Sequence, residues 1–323
     1  MQQRDNYFSL MKGIAIIGVL FIHSEFFSDA SALAARQFVT FSVAMFYFVA
    51  GYFANPDKSV WRGVRRLMIP YCIWSVLWFA ETTVTGSQPV DTWKIINTIF
   101  FGGAFFPLYF LIVLAELKLI TPWLARHIQK PNYSLKRDWV LLITPITLIV
   151  LYAIQYQTRQ QPLVYAQIFP TWLLFYYTGM LYKYKKILVK GVYCAIGVLC
   201  GIYLMSLEST YINEVLAVPF WAATQLKFSS FIYSFCLCLL FVTLHQQVRR
   251  GIIVRLGEMS FGIFLLHLPV LKVVSPILAR VGLQGFAFTQ LLSIATTLAI
   301  CYCVLLVTHK FLPKNLNRWL GFA

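Results

Sequence analysis

Apolar runs long enough to cross a bilayer recur from one end of the chain to the other, and they leave few folds open. About 20 residues make one helical crossing. Ten runs of roughly that size stand at 8–27, 37–54, 66–83, 104–124, 138–156, 165–182, 190–207, 228–246, 256–278 and 286–309. Only 12% of the 323 residues are charged and 59% are hydrophobic, whereas a soluble domain is about a quarter charged. No stretch between the runs is polar enough for a separate soluble domain, so residues 1–323 read as one integral-membrane domain. Backbone in lipid must satisfy its own hydrogen bonds, which runs of this length do as helices. The expected fold is all-α, a polytopic membrane bundle of about ten transmembrane helices. Gly102, Gly103 and Pro107 weaken the start of the fourth run, and Pro269 with Pro276 predicts a kink in the ninth.

The loops alternate in charge. One set carries nineteen basic residues, including Lys58, Arg62, Arg65, Arg66, Arg126, Lys130, Lys183, Arg250 and Lys310; the other carries six. The positive-inside rule then places both termini in the cytoplasm. The same pattern explains the net charge of +16 without nucleic acid. The seven cysteines lie in apolar segments without C-x-x-C spacing and read as small buried hydrophobes. The five histidines are scattered, so no metal site is expected. Lys12, His23 and Glu25 interrupt the first run, which argues against a cleavable signal peptide. No internal repeat stands out, which weakens an inverted-repeat transporter reading.

Ionisable residues inside spans are functional hypotheses by default. Lys12 and His23, in the stretch RDNYFSLMKGIAIIGVLFIHSEFF, stand eleven residues apart. That is three helical turns plus a small remainder, so both share one face, about 16 Å apart along the axis. His23 reads either as a histidine bonded to a neighbouring helix or as a general base for an alcohol. Arg62, Arg65 and Arg66 stand at i, i+3 and i+4 and form one cationic face, either a topological anchor or a clamp for phosphate. Glu116 is the acid deepest in a span and suits charge balance, with Lys12 or another cation as partner. Glu25 and Asp29 lie just beyond His23 and could orient it or touch an acceptor. His267 lies mid-span with a packing or tautomer-fixed role. His127, His245 and His309 sit at helix ends, where the helix dipole accounts for them.

These residues resemble the acyltransferase-3 family of integral-membrane acyltransferases, which modify bacterial surface glycans. The resemblance covers essentially the whole chain. It rests on the basic-x10-His spacing of Lys12 and His23, on FSVAMFYFVAGYF ending at a small residue and Gly51, and on Arg62-x-x-Arg65 leading into Pro70 and Tyr71. Leu108–Tyr109–Phe110 with Pro122, and Ser260 with His267, continue it in order. The family commonly has an aspartate three residues before the basic residue of its first helix; here that position is Ser9. No extracytoplasmic hydrolase-like domain, of the kind fused to some members, is expected within these 323 residues.

The resemblance implies acetyl-CoA as acyl donor, with no metal, His23 as the catalytic residue, and Lys12, Arg62, Arg65 and Arg66 as donor contacts. Glu116, Glu25, Tyr109, Ser260 and His267 are the supporting set. It implies O-acetylation of a surface or exported polysaccharide, or a lipid-linked glycan precursor, in the bacterial cytoplasmic (inner) membrane. Glycan-synthesis machinery or a second copy of the chain are the protein partners it would meet. Whether His23 acts as base or carries the acetyl group stays open, as do the acceptor and the acyl chain; a succinyl group would need an extra cation such as Lys227 or Arg280. The competing readings are a transporter or glycan exporter with a relay through Lys12, His23 and Glu116, and an inactive member of a synthase complex.

Overall fold

The computed structural model describes residues 5–24, 35–85, 91–103, 106–158, 167–187, 189–281 and 287–322. Among these the regular structure is helical, with no strand. The helices are α1 (Asn6–His23), α2 (Phe41–Tyr52), α3 (Val60–Thr85), α4 (Thr92–Phe101), α5 (Tyr109–Ile128), α6 (Val140–Thr158) and α7 (Phe169–Lys185). They continue with α8 (Gly191–Thr210), α9 (Pro219–Ala223), α10 (Phe228–Thr243), α11 (Ile252–Glu258), α12 (Ser260–Arg280), α13 (Ala287–Phe311) and α14 (Lys314–Trp319).

Every apolar run of the sequence contains a helix, and seven helical stretches are long and apolar enough to cross a membrane. The expectation of ten is therefore met in part, for physical reasons. α2 has 12 residues, about 18 Å of helix. α7 has 17 residues, and α5 carries Glu116, Lys118 and Arg126 along its length. The ninth run divides at Met259 into α11 and α12. The sequence reading passed over α4, a ten-residue helix with an Asp91 cap in front and Gly102 in the left-handed region behind.

The chain forms two compact units. The first comprises the described parts of Met1–Val49 and Leu188–Leu312, with Phe322. In it α8 pairs with α10, α1 with α11, and α12 with α13, while α1 also meets α12 and α13. Ile16, Val19, Leu20, Ile263, Ile294 and Leu305 make the core where α1, α12 and α13 meet. The second unit comprises Ala50–Ile187 and Pro313–Gly321 in their described parts. There α6 packs on α7, α5 on α3 and α7, and α14 on α3. The Trp74 indole donates to the Leu320 carbonyl at 3.1 Å and ties α14 to α3. Gly51 rests on the α7 backbone: a Cβ there would collide with the Tyr176 carbonyl oxygen. That contact gives a reason for the small residues closing the second apolar run.

Candidate functional site

α1 is one unbroken helix of 18 residues, so the Lys12–His23 face of the sequence reading exists as a structural face. Its start is fixed by several bonds. Asp5 accepts from the Tyr7 amide at 2.9 Å and meets His245 at 2.7 Å. The Tyr7 hydroxyl donates to the Phe241 carbonyl, and the Asn6 amide to the Val248 carbonyl at 3.0 Å. Its flank is fixed by glycines. A Cβ on Gly13 would strike the Ile253 carbonyl, and one on Gly257 would strike the Ser9 carbonyl. Ser9, which stands where the family commonly has an acid, is buried at this backbone-to-backbone crossing. Lys12 and His23 are each half-buried.

The far end of α1 meets α12. The His23 and His267 rings lie 5.3 Å apart, centre to centre, tilted by 48°. His267 is fully buried. Its Nδ1 is 2.6 Å from the Phe264 carbonyl oxygen. A carbonyl can only accept, so Nδ1 carries the hydrogen and Nε2 the lone pair. That Nε2 has no partner among the described residues. Ser24, next to His23, caps α1 and accepts from the Gln290 amide of α13 at 2.7 Å. α13 adds buried Ser293 and Thr297, whose hydroxyls also lack partners among the described residues. Buried polar groups are usually bonded, so unpartnered atoms on two packed helices, α12 and α13, single out this end of the unit as able to receive a polar group. The sequence reading missed Gln290, Ser293 and Thr297; their i, i+3, i+7 spacing inside an apolar run was the available signal.

The remaining named residues fall as follows. Arg62, Arg65 and Arg66 lie on the first turns of α3, all exposed. Glu116 accepts from the Phe169 amide at 3.0 Å and so caps the first turn of α7. Tyr109 opens α5 and is buried against the Gly102 turn. Ser260 is the buried first residue of α12. Glu25 and Asp29 lie outside the described residues. Lys227 is fully buried, with its ammonium donating to Gln37 Oε1 at 2.8 Å, Ser209 Oγ at 2.7 Å and the Ala222 carbonyl. An ammonium has three hydrogens, so none is left for the carboxylate of a succinyl group. Arg280 is exposed at the end of α12.

Three histidines assigned to helix dipoles have specific partners instead. His127 meets Asp138 at 3.1 Å and stacks on Trp123, His245 meets Asp5, and His309 meets the Phe322 carbonyl at 2.6 Å. Asp138 also accepts from Tyr133 at 2.7 Å and Tyr177 at 2.6 Å. Burial, and then Asp138, push the Tyr133 phenol up, so it stays a donor. Among the described residues no three His, Cys, Asp or Glu gather as metal ligands. Cys72, Cys200 and Cys303 lie on exposed helix faces, unlike the buried role expected for them.

A family model described as an acyltransferase domain, acyltransferase-3, matches residues 5–307. No curated protein matches the chain, and no solved structure does.

Proposed function

The chain belongs to the acyltransferase-3 family of membrane acyltransferases, and from that premise we propose that it moves an acetyl group from cytoplasmic acetyl-CoA to a hydroxyl of a surface or exported polysaccharide or its lipid-linked precursor. The setting is the bacterial cytoplasmic membrane, with about ten crossings and both termini inside. The observation that carries the reading is the His23–His267 contact. It is an imidazole pair at the end of a helix that bears Lys12 about three turns earlier, with one ring tautomer fixed and one ring nitrogen unpartnered among the described residues.

The residues divide the work. Arg62, Arg65 and Arg66 take the donor's phosphates, for which guanidinium forks are suited. Lys12 contacts the donor further in. From Lys12 to His23 is about 16 Å along α1, a span that an extended pantetheine arm covers. At His23 two routes fit. In the first, the imidazole removes the acceptor's hydroxyl proton, the oxygen bonds to the thioester carbonyl carbon, and the C–S bond breaks. The CoA sulfur then leaves and takes that proton. In the second, an imidazole nitrogen bonds to the thioester carbonyl carbon as the C–S bond breaks and the CoA thiolate leaves; the acceptor hydroxyl then displaces the imidazole from the acetyl group, and its proton passes by way of the imidazole to the thiolate. In both, His267 Nε2 accepts a hydrogen bond from His23 or from the acceptor and sets its orientation. The relay reading is weakened by Glu116, whose carboxylate already has a structural task at α7.

The test is acetyl transfer from labelled acetyl-CoA in purified membranes, wild type beside His23→Ala at equal expression. Transfer by wild type and none by the variant is expected. Equal transfer by both would remove His23 as the reacting group. No transfer by either, with acceptor supplied and no CoA bound, would turn the reading to transport.

A further inference from the structure

Lys118 was left without a role by the sequence. It sits within α5, two residues from Glu116, in a run that is otherwise apolar. The structure brings it to α3. A Cβ on Gly63 would lie 3.7 Å from Lys118 Cδ, an ordinary contact distance, so the lysine stem runs along α3 at the turn that holds Arg62, Arg65 and Arg66. Arg62 stands one residue before Gly63 and Arg66 three residues after it. The stem is half-buried, while the three arginines are exposed.

Lys118 thus meets the helical turn that carries the three arginines, and none of the four cations meets a carboxylate within salt-bridge distance among the described residues. The nearest acid in sequence, Glu116, caps α7 instead. A half-buried ammonium beside a guanidinium is unfavourable unless an anion joins them, since buried charges need partners. The anion the geometry suits is a phosphate ester. Guanidinium groups grip it in forks from α3, and an ammonium from α5 closes the other side as a point charge.

We propose that Lys118 is a phosphate ligand, the fourth member of the Arg62–Arg65–Arg66 cluster, and that it holds the donor's phosphates from α5. This rests on the reading of the arginine face as the donor's anchor.

The experiment measures binding of coenzyme A and of pantetheine, which lacks phosphate, to the full chain in lipid nanodiscs. Wild type, Lys118→Gln, Lys118→Arg and Arg65→Gln are compared. Loss of one charge-assisted bond weakens coenzyme A by about tenfold to a hundredfold. Lys118→Gln is expected to fall in that range with pantetheine unchanged, and Lys118→Arg to recover most of the loss. A lysine that only packed against Gly63 would leave the ratio of the two affinities alone. If Lys118→Gln unfolds, Lys118→Met, better suited to an apolar helix, is judged by the same ratio. Coenzyme A binding unchanged in Lys118→Gln but lost in Arg65→Gln overturns the proposal and leaves the arginine anchor standing. Wild type that binds coenzyme A no better than pantetheine overturns both.

Discussion

The crossing of α1 over α11 admits a sharp test, Gly257→Ala. An added Cβ would lie 2.7 Å from the Ser9 carbonyl carbon and 2.8 Å from the Gly13 nitrogen, and closer still to the Ser9 carbonyl oxygen. All of these are backbone atoms, so no side-chain rotamer relieves the clash. Ordinary contact at about 3.5 Å with the carbonyl oxygen, the nearest of the three atoms, requires α1 to withdraw by appreciably more than about 1 Å. Overpacking of this kind costs about 1–3 kcal/mol. The functional effect is larger, because Lys12 and His23 both ride on α1, and a misplacement near 1 Å lowers a reaction rate by about 10²-fold. Gly251→Ala is the control: nothing lies within 4 Å of its added Cβ, and its φ of −98° suits alanine. The assay is acetyl transfer in membranes, with thermal unfolding of the same preparations. Expected are a loss of about a hundredfold in turnover for Gly257→Ala and wild-type behaviour for Gly251→Ala. Full turnover and an unshifted melting temperature in Gly257→Ala would refute the argument that this crossing sets α1.

Three other outcomes follow from named bonds. Glu116→Gln keeps an oxygen for the Phe169 amide and is expected to retain activity, while Glu116→Ala loses about 1 kcal/mol of helix capping in thermal unfolding; inactive but stable Glu116→Gln would revive the proton relay. Asp138→Ala leaves His127, Tyr133 and Tyr177 without their shared acceptor, which predicts a loss of about 3 kcal/mol or more, read as a fall in melting temperature in detergent. Lys227→Met takes a donor from Gln37 Oε1, Ser209 Oγ and the Ala222 carbonyl, of which the last two keep bonds to Gln37 Nε2 and to each other, and is expected to lower the melting temperature without changing which acyl-CoA is used; a switch between acetyl and succinyl donors would show that the lysine reaches substrate.

The parts legible in the sequence were those written in composition and period. Apolar runs gave the helices, because lipid leaves the backbone little choice. The eleven-residue spacing gave one face for Lys12 and His23, because α1 is continuous. What stayed hidden depends on contacts between distant segments. The His23–His267 approach joins residues 244 positions apart in the chain, and the polar face of α13 has meaning only once α1 and α12 are packed on it. Where the Lys118 stem lies is set by its approach to Gly63 of α3, which the sequence does not show.

The acids show why counting charges misleads in such a chain. Pairing each buried carboxylate with a cation was the natural expectation for Glu116. Instead Glu116 accepts from the first turn of α7, Glu208 from the Ser229 amide and hydroxyl at the start of α10, Asp91 from the Lys94 amide in α4, and Asp5 from the first turn of α1. A helix start offers unsatisfied N–H groups and the positive end of the dipole, a partner available wherever a helix begins. With eleven acids against twenty-seven basic residues, each acid committed to a helix start leaves one fewer for the cations. The basic residues at α3 and α5 therefore have no carboxylate within salt-bridge distance among the described residues. On the reading proposed above, the donor's phosphates supply the negative charge that these acids do not.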